Sequence, residues 1–471
     1  MPCRIGVLLV AGWISAPVAA QEEFDWRRDA VELTNGKELR GVVIEDHDPE
    51  PVVLLSDGNR RTEVPREEVR RVDKLRDRLA SFLGVRGEGL SLESEWQLVA
   101  DAELVRLPLM ARLQASRVLT LDPEHTAAHE ALGHRRSGGG WAWPIDGKNV
   151  SEMKFASLSR EWNSRLVLES EHFVVESDAG LSRALEVLFD LEGLYVWWMT
   201  YLGPELRAAE DVDDPRAEKI TFLVHEDLES FQPLSRKEPY YDPSGMETTS
   251  KGGINVARTF YVPGNDRPEQ LFELGAQSLI YSTLVLGKTR GREPTPEIAR
   301  SAYWIEVGLA YWVARHAGGP PGFPRFQAPF EGGFQVDFET ALRTFDRIGG
   351  GHPLTHGRNE LTNLPGLTYD NFVGNSANIP LCKARCGTFV SFLIEADPEI
   401  KRGKKTVAHG REALWHYFRE VYGTPTAQSS SAFDDGLGGA KIESLEPAWK
   451  AWVKPFTSLV GPPPGATPAS R

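Results

Sequence analysis

From residue 160 onward the chain alternates strand-length apolar runs with long helical stretches, and that order calls for a core of mixed α and β structure. Residues 165–168 and 172–176 read as strands. Residues 181–202 read as a long amphipathic helix, with Leu185, Leu188, Phe189 and Val196 on its apolar stripe. A buried strand at 220–224 follows, then one or two strands across 252–262. Helices are expected at 268–286, which opens on a proline, and at 296–315. The remainder, to about residue 456, reads as helical with Gly- and Pro-rich loops.

The N-terminal third is built differently. Residues 1–20 carry Arg4, an apolar stretch from Ile5 to Ile14, and small residues Val18 and Ala20 ahead of Gln21. This three-part pattern is that of a secretory signal peptide, so an exported protein, periplasmic or extracellular, is expected. Residues 28–74 contain five short strands punctuated by Asn35-Gly36 and Asp57-Gly58, the spacing of a small SH3-like or Sm-like barrel. Residues 94–150 read as a helical hairpin and linker. The stretch from Val118 to Gly133 resembles one tetratricopeptide-type repeat, with Asp122-Pro123 opening its second helix. Ser137-Gly-Gly-Gly140 breaks that pattern. Residues 457–471, with Gly461-Pro-Pro-Pro-Gly465, read as a disordered tail.

Composition narrows the function. The net charge of −14 argues against nucleic acid and anionic membrane surfaces as partners. No run after the leader approaches the roughly 20 apolar residues of a membrane span. Cys382 and Cys386 lie four apart on one helix face, where two packed thiols and a strained disulfide are both open. Of the 13 tryptophans, Trp197, Trp198, Trp304 and Trp312 are expected in the core rather than along a groove.

Two motifs sharpen the reading. The segment Leu271-Phe-Glu-Leu-Gly-Ala-Gln-Ser-Leu279 resembles the zinc helix of the gluzincin (peptidase MA-like) metallopeptidases, L-H-E-x-x-H-Q-x-L. The segment Trp304-Ile-Glu-Val-Gly-Leu-Ala-Tyr311 resembles their third-ligand helix, W-L-x-E-G-x-A-x-Y. The resemblance implies an α+β fold: a gluzincin-like core over 160–318, a mixed sheet plus active-site helices, and a helical C-terminal subdomain over 319–456. It also implies zinc, held by residues at positions 272, 276 and 307. Those positions hold Phe272, Ala276 and Val307, and none can donate an electron pair to a metal. Glu273 occupies the general-base position. Glu306 sits one residue before a ligand position, a rotation of about 100° on a helix. Glu306 and Trp304 remain candidates for lining the cleft.

The sequence therefore points to a non-catalytic, zinc-free, gluzincin-like protein that binds a peptide or protein partner, by strand addition near residues 252–262. Alternatives are an active hydrolase using Glu273 with a second carboxylate such as Glu306, a degenerate-motif peptidase, and a structural envelope component. Other matches fail on context. His129 and His134 are five apart, about 140° on a helix, which sets them apart as metal ligands. His125 and His129 read as solvated. Gly287-Lys-Thr289 lacks the first glycine of a phosphate loop, Gly436-Leu-Gly-Gly-Ala440 lacks a preceding strand, and no G-x-S-x-G elbow is present.

Overall fold

The structure is a computed structural model. It describes residues 29–46, 49–56, 60–145, 147–206, 219–227, 229–231, 246–249, 256–260, 269–280, 303–318, 320–326, 364, 379–423 and 429–457. The expected leader, the Asp57-Gly58 turn and the expected tail beyond Thr457 lie outside these residues.

Five antiparallel strands open the chain: β1 (Asp29–Leu33), β2 (Glu38–Glu45), β3 (Val52–Ser56), β4 (Arg60–Val64) and β5 (Val69–Asp73), in the order β4-β3-β2-β1-β5. At the β1–β2 turn Gly36 takes a positive φ of 81° and the Asn35 side chain accepts from the Lys37 amide at 2.9 Å. Val31, Leu33, Val43, Val52, Leu54 and Val64 form a core of their own, separate from the rest of the molecule. Buried Asp29 ties this sheet onward: one carboxylate oxygen accepts from Val43 N and the other from Leu75 N, at the start of the next helix.

Helices α1 (Leu75–Val85), α2 (Leu92–Leu104), α3 (Pro108–Leu121) and α4 (Thr126–Ala131) follow. Their apolar faces join the main core instead of forming a separate one. The paired helices are α2 and α3. Asp122-Pro123 does not open a helix; His125 caps the six-residue α4 by accepting from Ala128 N at 3.2 Å. Ser137-Gly-Gly-Gly140 does not end structure either. Gly138 and Gly139, both with positive φ, form the two-residue turn joining β6 (Arg135–Ser137) to β7 (Gly140–Ile145), and β8 (Lys148–Val150) completes a three-stranded sheet. The short helix α5 (Glu152–Leu158) packs on β7.

The central sheet has five strands, β9 (Leu166–Glu169), β10 (Phe173–Ser177), β11 (Ile220–His225), β12 (Met246–Thr249) and β13 (Val256–Phe260), ordered β12-β13-β11-β10-β9. Strands β10, β11 and β13 are parallel, with antiparallel β9 and β12 at the two margins. The β10–β11 crossover contains α6 (Gly180–Tyr201), as a parallel pair requires. The expected edge at 252–262 needs correction. Strand β13 is paired on both sides, and the marginal strand is β12, whose short polar sequence Met-Glu-Thr-Thr gave little apolar alternation to read.

Helices α7 (Glu269–Leu279), α8 (Tyr303–His316), α9 (Ile379–Ser391), α10 (Gly410–Gly423), α11 (Ser429–Gly436) and α12 (Glu446–Thr457) complete the described α-helices of more than four residues. Two short strands, β14 (Ala317–Gly318) and β15 (Arg325–Phe326), pair after α8; β16 (Glu399–Arg402) and β17 (Lys405–His409) form a hairpin before α10. The α+β class is thus observed, with several small sheets around one main core. None of the described helices is long and apolar enough to cross a membrane.

Candidate functional site

The two motif helices pack against each other, and α7 also packs on α6. On α7, Gly275 allows the approach to α6: a Cβ there would overlap Leu194 Cδ2 and lie 3.1 Å from Leu191 Cδ2. On α8, Gly308 meets α9: a Cβ there would overlap Val390 and sit 2.7 Å from the Cys386 carbonyl oxygen. The glycine in each motif segment is therefore a point of close helix contact.

The would-be ligand positions are inside the protein. Phe272 is 1% exposed, Ala276 0% and Val307 3%. The Phe272 ring meets Phe326 of β15 edge-on, with centroids 5.3 Å apart. Glu273 is buried on the same helix. Trp304 turns toward the C-terminal helices: its indole N–H donates to the Tyr417 hydroxyl at 3.3 Å, and Phe389 and Phe433 flank the ring. Gly308 lies one turn on and faces the same helices. Glu306 is fully buried and lies well around the helix from both, by about 160° from Gly308. The structure thus places Phe272, Glu273, Ala276, Glu306 and Val307 in the interior of two packed helices, and Trp304 in a different neighbourhood. Trp197, Trp198 and Trp312 are buried as expected.

Zinc does not fit this donor set. A phenyl ring, a methyl group and an isopropyl group have no lone pair to give, and the phenyl ring is packed against hydrocarbon. Among the described residues no group of three His, Cys, Asp or Glu side chains could hold a metal ion.

Charged groups that the sequence reading did not single out are buried nearby. His172 and Glu192 form a buried pair at 2.7 Å, and the His172 amide donates to the same carboxylate at 2.8 Å. The His172 ring stacks on Tyr195 at 3.6 Å. Burial opposes ionisation of Glu192, but the His172 charge and its hydrogen bonds outweigh it and hold the carboxyl below its usual range. Two residues earlier on α6, Asp190 accepts from Gly322 N at 2.9 Å, and burial pushes its carboxyl up to about 8. Beyond α8, the Trp312 indole donates to Glu395 at 2.8 Å, and His316 lies 3.7 Å from the same oxygen. Glu395 belongs to a turn of π-helix, Phe392–Ala396. Two acids inside the apolar run Leu188-Phe-Asp-Leu-Glu-Gly-Leu194 were the legible signal for the first two sites.

The histidines outside the motifs also need correction. His129 is buried, not solvated, and stacks on Trp141 at 4.4 Å. His134 lies beyond the end of α4, so helical rotation does not separate the two rings, and their Nδ1 atoms are 2.7 Å apart. The Pro123 carbonyl can only accept, so His129 Nε2 carries the proton in that 2.7 Å contact. Neutral His129 therefore accepts at Nδ1, and His134 donates from its own Nδ1. Burial, the neighbouring His129 and Arg112 push His134 down to about 4.

No protein-family model, curated protein or solved structure matches this chain.

Proposed function

We propose that this chain is an exported, non-catalytic protein with a gluzincin-like core that binds an extended peptide or a protein partner. The observation that carries the reading is the packing at the ligand positions. Phe272, Ala276 and Val307 are buried hydrocarbon, and Phe272 is closed off by Phe326. At those three positions the helix pair offers no donor for a water-activating metal. The peptide would add to the central sheet along β12, one of its two antiparallel marginal strands. The second reading, a hydrolase using Glu273 and Glu306, draws on the placement of both carboxyls inside the two packed helices.

A defined library of synthetic peptides separates the two. The purified chain is expected to retain a subset of peptides and to generate no new termini on mass spectrometry. Cleavage that persists in chelator and disappears in Glu273→Gln would establish the hydrolase instead. Neither retention nor cleavage would remove the peptide-binding reading.

A further inference from the structure

The hairpin of β16 and β17 ends on Lys401-Arg-Gly-Lys-Lys405, four cations in five residues of a chain whose net charge is −14. Its base is fixed. Ile400 is fully buried, and the Gly410 amide donates to the Pro398 carbonyl at 3.0 Å where the hairpin closes onto α10. Gly438 and Gly439, both at positive φ, bring the end of α11 against both strands: a Cβ on Gly438 would sit 3.0 Å from Val407 Cγ2, and one on Gly439 would sit 3.5 Å from Arg402 Nη1. The chain turns on Gly403 and Lys404, and Gly403 takes φ 68° at the first turn position, where a two-residue hairpin turn needs a positive angle.

Residues 401–406 are exposed throughout. Lys401 is tied to Glu399 of its own strand at 2.7 Å. Arg402, Lys404 and Lys405 have no ion-pair partner among the described residues. Asp434 and Asp435 border the hairpin at Gly438 and Gly439, whose amides donate to their carbonyl oxygens. The tip thus presents an excess of positive charge on a braced backbone, which loses little freedom when a partner docks. We propose that the tip of this hairpin docks an acidic, Asp- and Glu-rich segment of a partner protein through Lys404, Lys405 and Arg402.

The charge of the whole chain selects that occupant. A bilayer surface or a nucleic acid spreads phosphates over an area wider than the tip, so the acidic body would face the same field and be repelled. The hairpin also has no Phe, Tyr or Trp for a base to stack on and no exposed large apolar side chain to enter a bilayer. A second copy brings the same net charge of −14. A short acidic segment meets the tip alone: at about 0.1 M salt fields are screened over about 10 Å, so charges on the distant faces of the body contribute little. The contact is one of exposed ion pairs, each weak, and is therefore transient and salt-sensitive. It involves none of the residues of β12 and stands independently of peptide addition there.

Fluorescence anisotropy with a labelled oligoglutamate peptide tests the docking on the full chain, with oligoglutamine of the same length as the uncharged control. At about 0.1 M salt the wild type is expected to bind oligoglutamate and not oligoglutamine; at about 1 M salt, where screening shortens to about 3 Å, binding is expected to vanish. Lys404→Gln with Lys405→Gln removes two exposed charges without touching the core, and is expected to weaken binding about fivefold. Arg60→Gln with Arg61→Gln, at two exposed positions on β4, is expected to leave binding unchanged; circular dichroism checks that both variants fold. The proposal is overturned if oligoglutamate does not bind, if the hairpin variant binds as the wild type does, or if the β4 variant loses as much. Tighter binding to anionic phospholipid vesicles or to duplex DNA than to oligoglutamate, lost in the hairpin variant, would also overturn it by assigning the tip to phosphates.

Discussion

Two buried regions of one core treat polarity in opposite ways. Around Gly322 the protein keeps the Arg86 guanidinium, the Gln114 amide and the Asp190 and Glu95 carboxyls inside, each costly to desolvate, because together they tie residues 320–326 to helices α1, α2, α3 and α6. Around Phe272 it has hydrocarbon at positions where the motif resemblance calls for metal ligands. The interior is therefore able to house charge, and the apolar motif positions are not a general consequence of burial. Charge is retained where it ties segments together, and replaced by packing where the sequence has no donor.

The largest effect should come from removing the central cation. Arg86→Leu leaves Glu95, Gln114 and the Gly322 carbonyl without their shared partner, and a loss of about 3–5 kcal/mol is expected in chemical denaturation. A loss below about 1 kcal/mol would mean the polar region is incidental and the comparison fails.

Next in size is the helix crossing that holds the motif. Gly308→Ala drives a methyl group into Val390 and the Cys386 carbonyl, and overpacking of this kind costs about 1–3 kcal/mol. Phe272→His should cost a similar amount, about 1–3 kcal/mol, by placing an unpaired ring nitrogen against Phe326. A neutral result for Phe272→His would show that polar groups are accommodated at both regions alike.

The smallest effects are in the pH profile. Asp190 has its carboxyl raised to about 8 in the folded chain from an ordinary value of 3.8. Its contribution to stability is complete below the ordinary value and is lost as pH rises toward 8. Asp190→Asn should flatten the corresponding fall in stability. His134 works in the opposite sense: lowered from 6.5 to about 4, it contributes above the ordinary value and loses that contribution as pH falls through the interval. His134→Gln should flatten the acid limb alone. Denaturation midpoints measured from pH 4 to pH 9 read both slopes.

Apolar periodicity made the main elements legible. Expected strands at 172–176 and 220–224 and the helix at 181–202 lie within a residue or two of β10, β11 and α6. What was not legible follows from local physics. Asp122-Pro123 is a good helix start and makes the α4 region resemble a repeat, but His125 supplies the cap and the helix ends within two turns. Gly138-Gly139 looked like a break, although two positive-φ residues in sequence are also the shortest hairpin turn. Strand β12 has too few apolar residues to announce itself. The motif positions were visible in the sequence because their neighbours keep helical spacing. The contacts among Arg86, Asp190 and Gly322 were not, since these residues are far apart in the chain and only the fold brings them together.

The central claim is that α7 and α8 carry the frame of a metal site with hydrocarbon at its donor positions. Calorimetric zinc titration of the wild type and of the triple variant Phe272→His, Ala276→His, Val307→Glu, with circular dichroism to confirm folding, tests it most directly. No stoichiometric uptake is expected for the wild type, and about one zinc per chain for the triple variant, whose three introduced ligands match a zincin shell. A wild type that already takes up about one zinc per chain, or a folded triple variant that takes up no more than the wild type, would contradict it.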